Sequence, residues 1–332
     1  MEPLLVIPFI ICFFTVLFSM NFWIKKAHQI GLVWDDVHKK NRNKVAGSGG
    51  IIVVLGFSAG VLSYIAINTF YFDSTQNLIQ ILALLASVLI VSGVGLIDDL
   101  FGWQHGGLSV TSRLVLVTFA AVPLMVINAG HSQLMGIEFG LFYPLLFIPL
   151  GIVGATTTFN FLAGQNGLEA SQGILILTAL SAVTYFTDAR WLSLISLIMV
   201  LCLLAFYFFN KFPAEVFPGD VLTYPVGAMI AIVAILGNVE KIAVFFFIPY
   251  IIEVILKSSG RLKKESFVKL NSDGSLDVPY ERIYSLSHLA VYILKKIKPS
   301  GKVYERDVVY AINTFQIIVI IAGFVLFGKE MI

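Results

Sequence analysis

Asn160–Ala170 reads NFLAGQNGLEA, and it stands between two apolar runs, Leu141–Phe159 and Ile174–Phe186. Two asparagines, two glycines, a glutamine and a glutamate fall together there. Unpaired polar groups in hydrocarbon cost several kcal/mol each, so a membrane helix does not carry such a cluster without a use for it. The stretch is either a solvated turn between two spans or part of a site. Composition makes the spans themselves plain. The 332 residues are 58% hydrophobic and 13% charged, with a mean hydropathy of +0.90. That excludes an ordinary soluble domain and implies an all-α polytopic membrane protein. Cys12 and Cys202 both lie in apolar runs and suggest neither a disulfide framework nor a metal site.

Apolar segments of roughly 20 residues suffice to cross a bilayer. Ten are read here, at 3–24, 48–70, 78–97, 111–129, 142–161, 169–187, 190–209, 221–238, 241–258 and 308–327. Glu2 precedes the first run and Lys25 and Lys26 follow it, which fits a retained helix with its N-terminus outside rather than a cleaved signal. Ten spans alternate nine loops between the two faces. The odd-numbered loops collect 19 of the 22 Lys and Arg residues, eleven of them in a long ninth loop at about 257–307. Arg190, Lys241 and Lys329 remain on the other side. This asymmetry predicts cytoplasmic odd loops and extracytoplasmic termini, in a single integral-membrane domain over 1–332.

Every polar constellation then falls on the cytoplasmic face. Asp98 and Asp99 end the apolar run VLIVSGVGLIDDL. An acidic pair at a helix end can simply meet water, but adjacent carboxylates repel and become favourable beside a divalent cation. Asp220 follows Pro218–Gly219 and reads as a helix N-cap whatever else it does. In the opening stretch, Gly164 and Gly167 let backbone approach a ligand. Asn160 and Asn166 offer a neutral oxygen to a metal or paired donor and acceptor to a nucleobase edge. In the first loop, His38, Lys39, Lys40, Arg42 and Lys44 run into Gly47–Gly50, either as topology charge or as a phosphate-contacting loop. His131 and His288 read as isolated residues. Carboxylates with asparagine imply a hard metal, surrounding cations imply phosphate, and the membrane surface implies a lipid substrate. The combination points to Mg²⁺-dependent phosphoryl transfer between a soluble phosphorylated donor and a lipid phosphate. A transporter is the competing class, but transporters set ionisable residues at mid-membrane depth, and here the spans nearly lack them.

NFLAGQNGLEASQ, the Asp98–Asp99 pair after the third span, FPGD before the eighth and the ten-span plan resemble the polyprenyl-phosphate N-acetylhexosamine-1-phosphate transferase family, over essentially the whole chain. The fifth-loop motif is most similar to the branch acting on dolichyl phosphate, and the compact length and long ninth loop resemble archaeal members. The resemblance implies transfer of GlcNAc-1-phosphate from UDP-GlcNAc to a polyprenyl or dolichyl phosphate, with release of UMP. Another UDP-N-acetylhexosamine remains the alternative donor. It implies Mg²⁺, or Mn²⁺ in its place, held by Asn160 and Asp220 beside Asp98 and Asp99. Gly164 and Asn166 are implied as uracil contacts, with Glu169 in the same motif, and Lys39 and Arg42 as first-loop basic positions. A homodimer in the cell membrane, or in the endoplasmic reticulum of a eukaryote, is implied as well; nucleic acid is not. Two departures stand out. The family lysine beyond the acidic pair is missing from WQHGGLSVTSR, leaving Arg113 as its substitute. The arginine-histidine-arginine run expected in the ninth loop is replaced by Arg261-Leu-Lys263-Lys264. The histidine-rich ninth-loop motif of the cell-wall branch is absent, against a muramoyl-pentapeptide substrate.

Overall fold

A computed structural model describes residues 3–39, 43–130, 133–134 and 137–330. Among the described residues, eight helices are long and apolar enough to cross a membrane: α1 (Ile7–Ile30, with Pro3–Val6 before it), α2 (Gly50–Phe70), α3 (Leu78–His105), α6 (Ile148–Phe161, continuing Tyr143–Phe147), α7 (Leu168–Phe186), α8 (Arg190–Asn210), α9 (Asp220–Gly237) and α13 (Glu305–Phe327). They coincide with eight of the ten predicted segments.

The other two segments are broken, and proline is the cause in both. The segment at 111–129 divides into α4 (Val110–Phe119) and α5 (Val122–Val126), with Pro123 in the first turn of the second. The segment at 241–258 divides into α10 (Glu240–Phe246) and α11 (Ile248–Ser259), bent by 60° at Phe247. Pro249 cannot donate back to the preceding turn there. The fold is also not purely helical. Among the described residues, three two-stranded antiparallel pairs sit in the connections: β1–β2 (Val33–Asp35, Lys44–Ala46), β3–β4 (Gln133–Leu134, Ile137–Glu138) and β5–β6 (Lys269–Leu270, Leu276–Asp277). In the ninth loop, β5–β6 leads into the amphipathic α12 (Leu286–Ile297).

Helix α9 is the axis of the bundle. It is buried on every side from Val221 to Ile235 and packs on α3 and α6, as a helix apolar all round must be. Two sequence details let it sit there. Pro225 leaves the Val221 carbonyl without its helical donor, and the Ser92 hydroxyl of α3 supplies one at 3.2 Å. Gly95 of α3 lies so close to the first turn of α9 that a Cβ would come within 2.3 Å of the Asp220 carbonyl oxygen. The first and seventh loops are joined at the same level. Phe217 N donates to Ala46 O (2.7 Å), and Gly49 N donates to Phe217 O (2.9 Å).

Candidate active site

At the end of the bundle where α3, α6 and α11 finish and α7 and α9 begin lies a cavity of about 660 Å³. Asp98, Asp99, Arg113, Asn160, Gly164, Asn166, Glu169, Asp220 and Lys264 all line it. Five stretches spread over more than 150 residues thus line one cavity.

The acidic pair divides its work. Asp98 Oδ1 accepts from Leu108 N (2.8 Å), and its Oδ2 accepts from the Tyr224 hydroxyl (2.8 Å) and pairs with Arg113 Nε (2.6 Å). Asp99 turns toward α9. Its oxygens accept from Asp220 N (2.7 Å) and Val221 N (3.3 Å). These are two of the amides a helix start leaves unpaired. Asp220 was expected to cap α9. In the fold it is the first helical residue, after Gly219, and Asp99 caps the helix from across the interface. The Asp220 side chain is thereby left to the cavity.

Asn160 stands in the last turn of α6, where its Oδ1 accepts from Thr223 Oγ1 of α9 (3.0 Å). The loop after it is closed from within. Gly164 adopts φ +108°, and its N–H donates to Glu169 Oε1 (2.9 Å). Glu169 therefore holds the loop's shape. Any side chain at Gly164 would strike the Phe267 ring, 2.7 Å from an added Cβ. Asn166 is gripped from two other segments: its backbone N–H donates to Glu305 Oε1 (2.7 Å) and its Nδ2 to Asp36 Oδ2 (3.1 Å).

The basic residues fare less evenly. Arg113 reaches the cavity but is tied to Asp98. Lys39 does not line it; its ammonium pairs with Asp36 (2.8 Å). Arg42 lies outside the described residues. Arg261 and Lys263 are exposed on the turn after α11 and do not line the cavity, whereas Lys264 does, over the Tyr280 ring.

Several contributors escaped the sequence reading. Lys257 lines the cavity with its ammonium 4.8 Å from the centre of the Phe161 ring. Asp36 and Glu305 are buried, and each is an acid at the mouth of a span or basic loop, the same signal that singled out Asp98. Ligand atoms of Asp36, His38 and Glu305 lie within 4.8 Å of one another. Asp36 Oδ2 already meets Lys39 and Asn166 Nδ2, and Glu305 Oε1 accepts from the Asn166 amide, so the group acts as a clamp on Asn166.

The donor set suits a hard divalent cation. Asp98, Asp99 and Asp220 stand with the Asn160 amide oxygen among the residues of one cavity, and Arg113 pairs with Asp98.

A family model described as glycosyl transferase family 4 matches residues 81–238, from α3 through α9. A Saccharolobus solfataricus protein is 33% identical over 294 residues, 86% of this chain and 88% of its own length. It is provisionally named UDP-N-acetylglucosamine–dolichyl-phosphate N-acetylglucosaminephosphotransferase. The chain belongs to glycosyl transferase family 4, the polyprenyl-phosphate N-acetylhexosamine-1-phosphate transferases, and is a multi-pass membrane phosphotransferase. A Dictyostelium discoideum UDP-N-acetylglucosamine–dolichyl-phosphate N-acetylglucosaminephosphotransferase is 30% identical over 272 residues, 68% of this chain and 65% of its own. A Streptococcus pyogenes phospho-N-acetylmuramoyl-pentapeptide-transferase is 27% identical over 265 residues, covering 75% and 78%.

Proposed function

We infer that the protein transfers GlcNAc-1-phosphate from UDP-GlcNAc to a polyprenyl or dolichyl phosphate, releasing UMP and leaving a polyprenyl diphosphate-GlcNAc. The observation that carries this reading is the convergence of Asp98, Asp99, Asn160 and Asp220 with the Gly164–Asn166 loop in one cavity. The names of the archaeal and Dictyostelium relatives support the donor and acceptor.

A second cavity supports the lipid acceptor. It measures about 510 Å³ and is lined mainly by apolar residues of α6, α9 and the bent α10–α11 pair, among them Gly151, Ala155, Ala231, Phe247 and Val254. Thr158 and Val254 line this groove, while Asn160 and Lys257, a turn or less further along the same helices, line the catalytic cavity. An isoprenoid chain lying in the groove would bring its phosphate to Asn160 and Lys257.

In the reaction a lipid phosphate oxygen attacks the β-phosphorus of the donor. The bond to the bridging oxygen breaks, and UMP leaves with that electron pair. A phosphate monoester has a second pKa of about 6, so the nucleophile is already largely dianionic at neutral pH and needs no base. Asp99 is occupied in capping α9, and Asp98 with Arg113 and Tyr224, which agrees with positioning rather than proton removal. Asp220 and Asn160 would hold Mg²⁺, or Mn²⁺, which supplies charge neutralisation at the diphosphate. Lys257, which also feels the Glu253 carboxylate one turn away, and Lys264 line the cavity and are the cations placed to meet phosphate. With their backbone amides held by Glu169 and Glu305, Gly164 and Asn166 would meet uracil through the Gly164 carbonyl and the Asn166 side-chain oxygen. We place this cavity on the cytoplasmic face of a ten-span protein, with both termini outside.

Purified protein given UDP-GlcNAc, polyprenyl phosphate and Mg²⁺ should release UMP, and chelator should stop it. Release of UMP only with a different UDP-N-acetylhexosamine would move the donor assignment, and no release with any would overturn the reading.

A further inference from the structure

Asn166 borders a second polar environment. With Tyr207, Lys211, Phe212, Arg306, Val309 and Tyr310 it walls a separate cavity of about 250 Å³. Two cations line this cavity, and among the described residues no carboxylate does. The acids on either side of Arg306 are engaged elsewhere: Glu305 accepts from Asn166 N, and Asp307 pairs with Lys298 at 2.6 Å. The Arg306 guanidinium lies 4.6 Å from the centre of the Phe212 ring and donates to Phe212 O (3.3 Å), which fixes its direction. The Lys211 ammonium lies over the Phe208 ring at 5.6 Å. Aromatic faces hold both cations without neutralising them. A small chamber with an arginine fork, an ammonium and tyrosine hydroxyls has the chemistry of a phosphate receptor.

Its surroundings say which phosphate. Lys211 follows the last residue of α8 and Arg306 lies in the first turn of α13, so the chamber sits at the ends of two spans, where headgroups lie. Tyr310, Ile317 and Ile321 are all exposed on α13 at spacings that share one face, with Phe208 exposed on α8. Cations at headgroup depth above a lipid-facing apolar wall fit an amphiphile rather than a soluble ion. We propose that this cavity binds the phosphate headgroup of an anionic membrane lipid, whose chains lie along α8 and α13. The bound lipid sits against the back of the Gly164–Asn166 loop. The site does not depend on which donor the enzyme uses.

The test takes delipidated full-length protein in detergent and adds phosphatidylglycerol, phosphatidylcholine or inorganic phosphate. Native mass spectrometry reads the lipid retained and thermal unfolding reads its effect. Phosphatidylglycerol should be retained and should raise Tm; the other two should do neither. The K211Q/R306Q variant should bind phosphatidylglycerol about tenfold more weakly, given the attraction of each cation to an anionic headgroup. Its turnover in phosphatidylcholine should equal that of wild type. K329Q, beyond the far end of α13, should bind like wild type. Should the double variant fail to fold, Lys211→Glu, at an exposed position, should show the same loss. Undiminished retention by the charge variants, equal retention of phosphatidylcholine, or equal protection by inorganic phosphate would overturn the proposal.

Discussion

The backbone amide of Asn166 donates a 2.7 Å hydrogen bond to the Glu305 carboxylate, joining positions 139 residues apart. The bond ties the loop proposed to meet the nucleobase to the first residue of the final span. An amide bound to a buried carboxylate is a charge-assisted contact, worth about 1.5–3 kcal/mol. Glu305→Gln should therefore raise KM for UDP-GlcNAc by roughly tenfold while leaving kcat within a few fold. An unchanged KM in a folded variant would show that Asn166 needs no such anchor.

Asp99 and Asp220 should separate in their effects. Asp220→Ala and Asn160→Ala should abolish turnover with the fold kept, Asn160→Ala losing only the single hydrogen bond from Thr223 of α9. Asp99→Ala should lower thermal stability as well, by about 0.5–2 kcal/mol for a lost cap, because two amides of α9 are orphaned. Asp99→Asn should recover part of that stability. Unfolding curves beside activity assays would read the contrast, and equal Tm values for all three alanine variants would remove the capping role.

Lys257→Gln should weaken inhibition by UMP and raise KM for the sugar nucleotide, yet leave binding of uridine unaltered. Competition assays with the three ligands distinguish a phosphate contact from a general distortion, which would weaken all three together.

The ninth loop should loosen in acid. Burial pushes the His288 imidazole below its ordinary pKa of 6.5. Its ring accepts from Tyr284 N and faces Phe267 O, in the loop that covers Gly164. The docked loop thus prefers neutral His288, and the undocked loop binds the proton more readily. The stability from docking is present above about pH 6.5 and declines as pH falls through that value. Limited proteolysis within 257–307 should accelerate from pH 7.5 to 5.5, and His288→Asn should flatten the difference.

Much of the site could be read from the chain because its members obey a strong physical rule. Polar residues such as Asp98, Asn160 and Asp220 are conspicuous against apolar spans, and the basic asymmetry assigned them one face. Helix breaks were harder to read. Pro123 and Pro249 sit inside runs whose hydropathy alone reads as continuous. Asp36 and Glu305 were passed over because their partners are remote in sequence and only the fold brings them to Asn166. Arg261 and Lys263 carried the right charge, but the turn after α11 points them to solvent. The assignment of Asp220 as its own cap failed because a capping group can come from another helix.

The missing Cβ of Gly95 and the hydroxyl of Ser92 hold α3 and α9 backbone to backbone. The acid-bearing ends of these two helices therefore behave as one stiff keel. The ninth-loop segment between α11 and α13 is held to α11 in part by hydrogen bonds, such as Leu286 N to Glu253 (2.6 Å). Descendants of this chain could exchange that segment for another and keep the phosphoryl chemistry, so new glycans could arise by refitting the cover while the keel stays as it is.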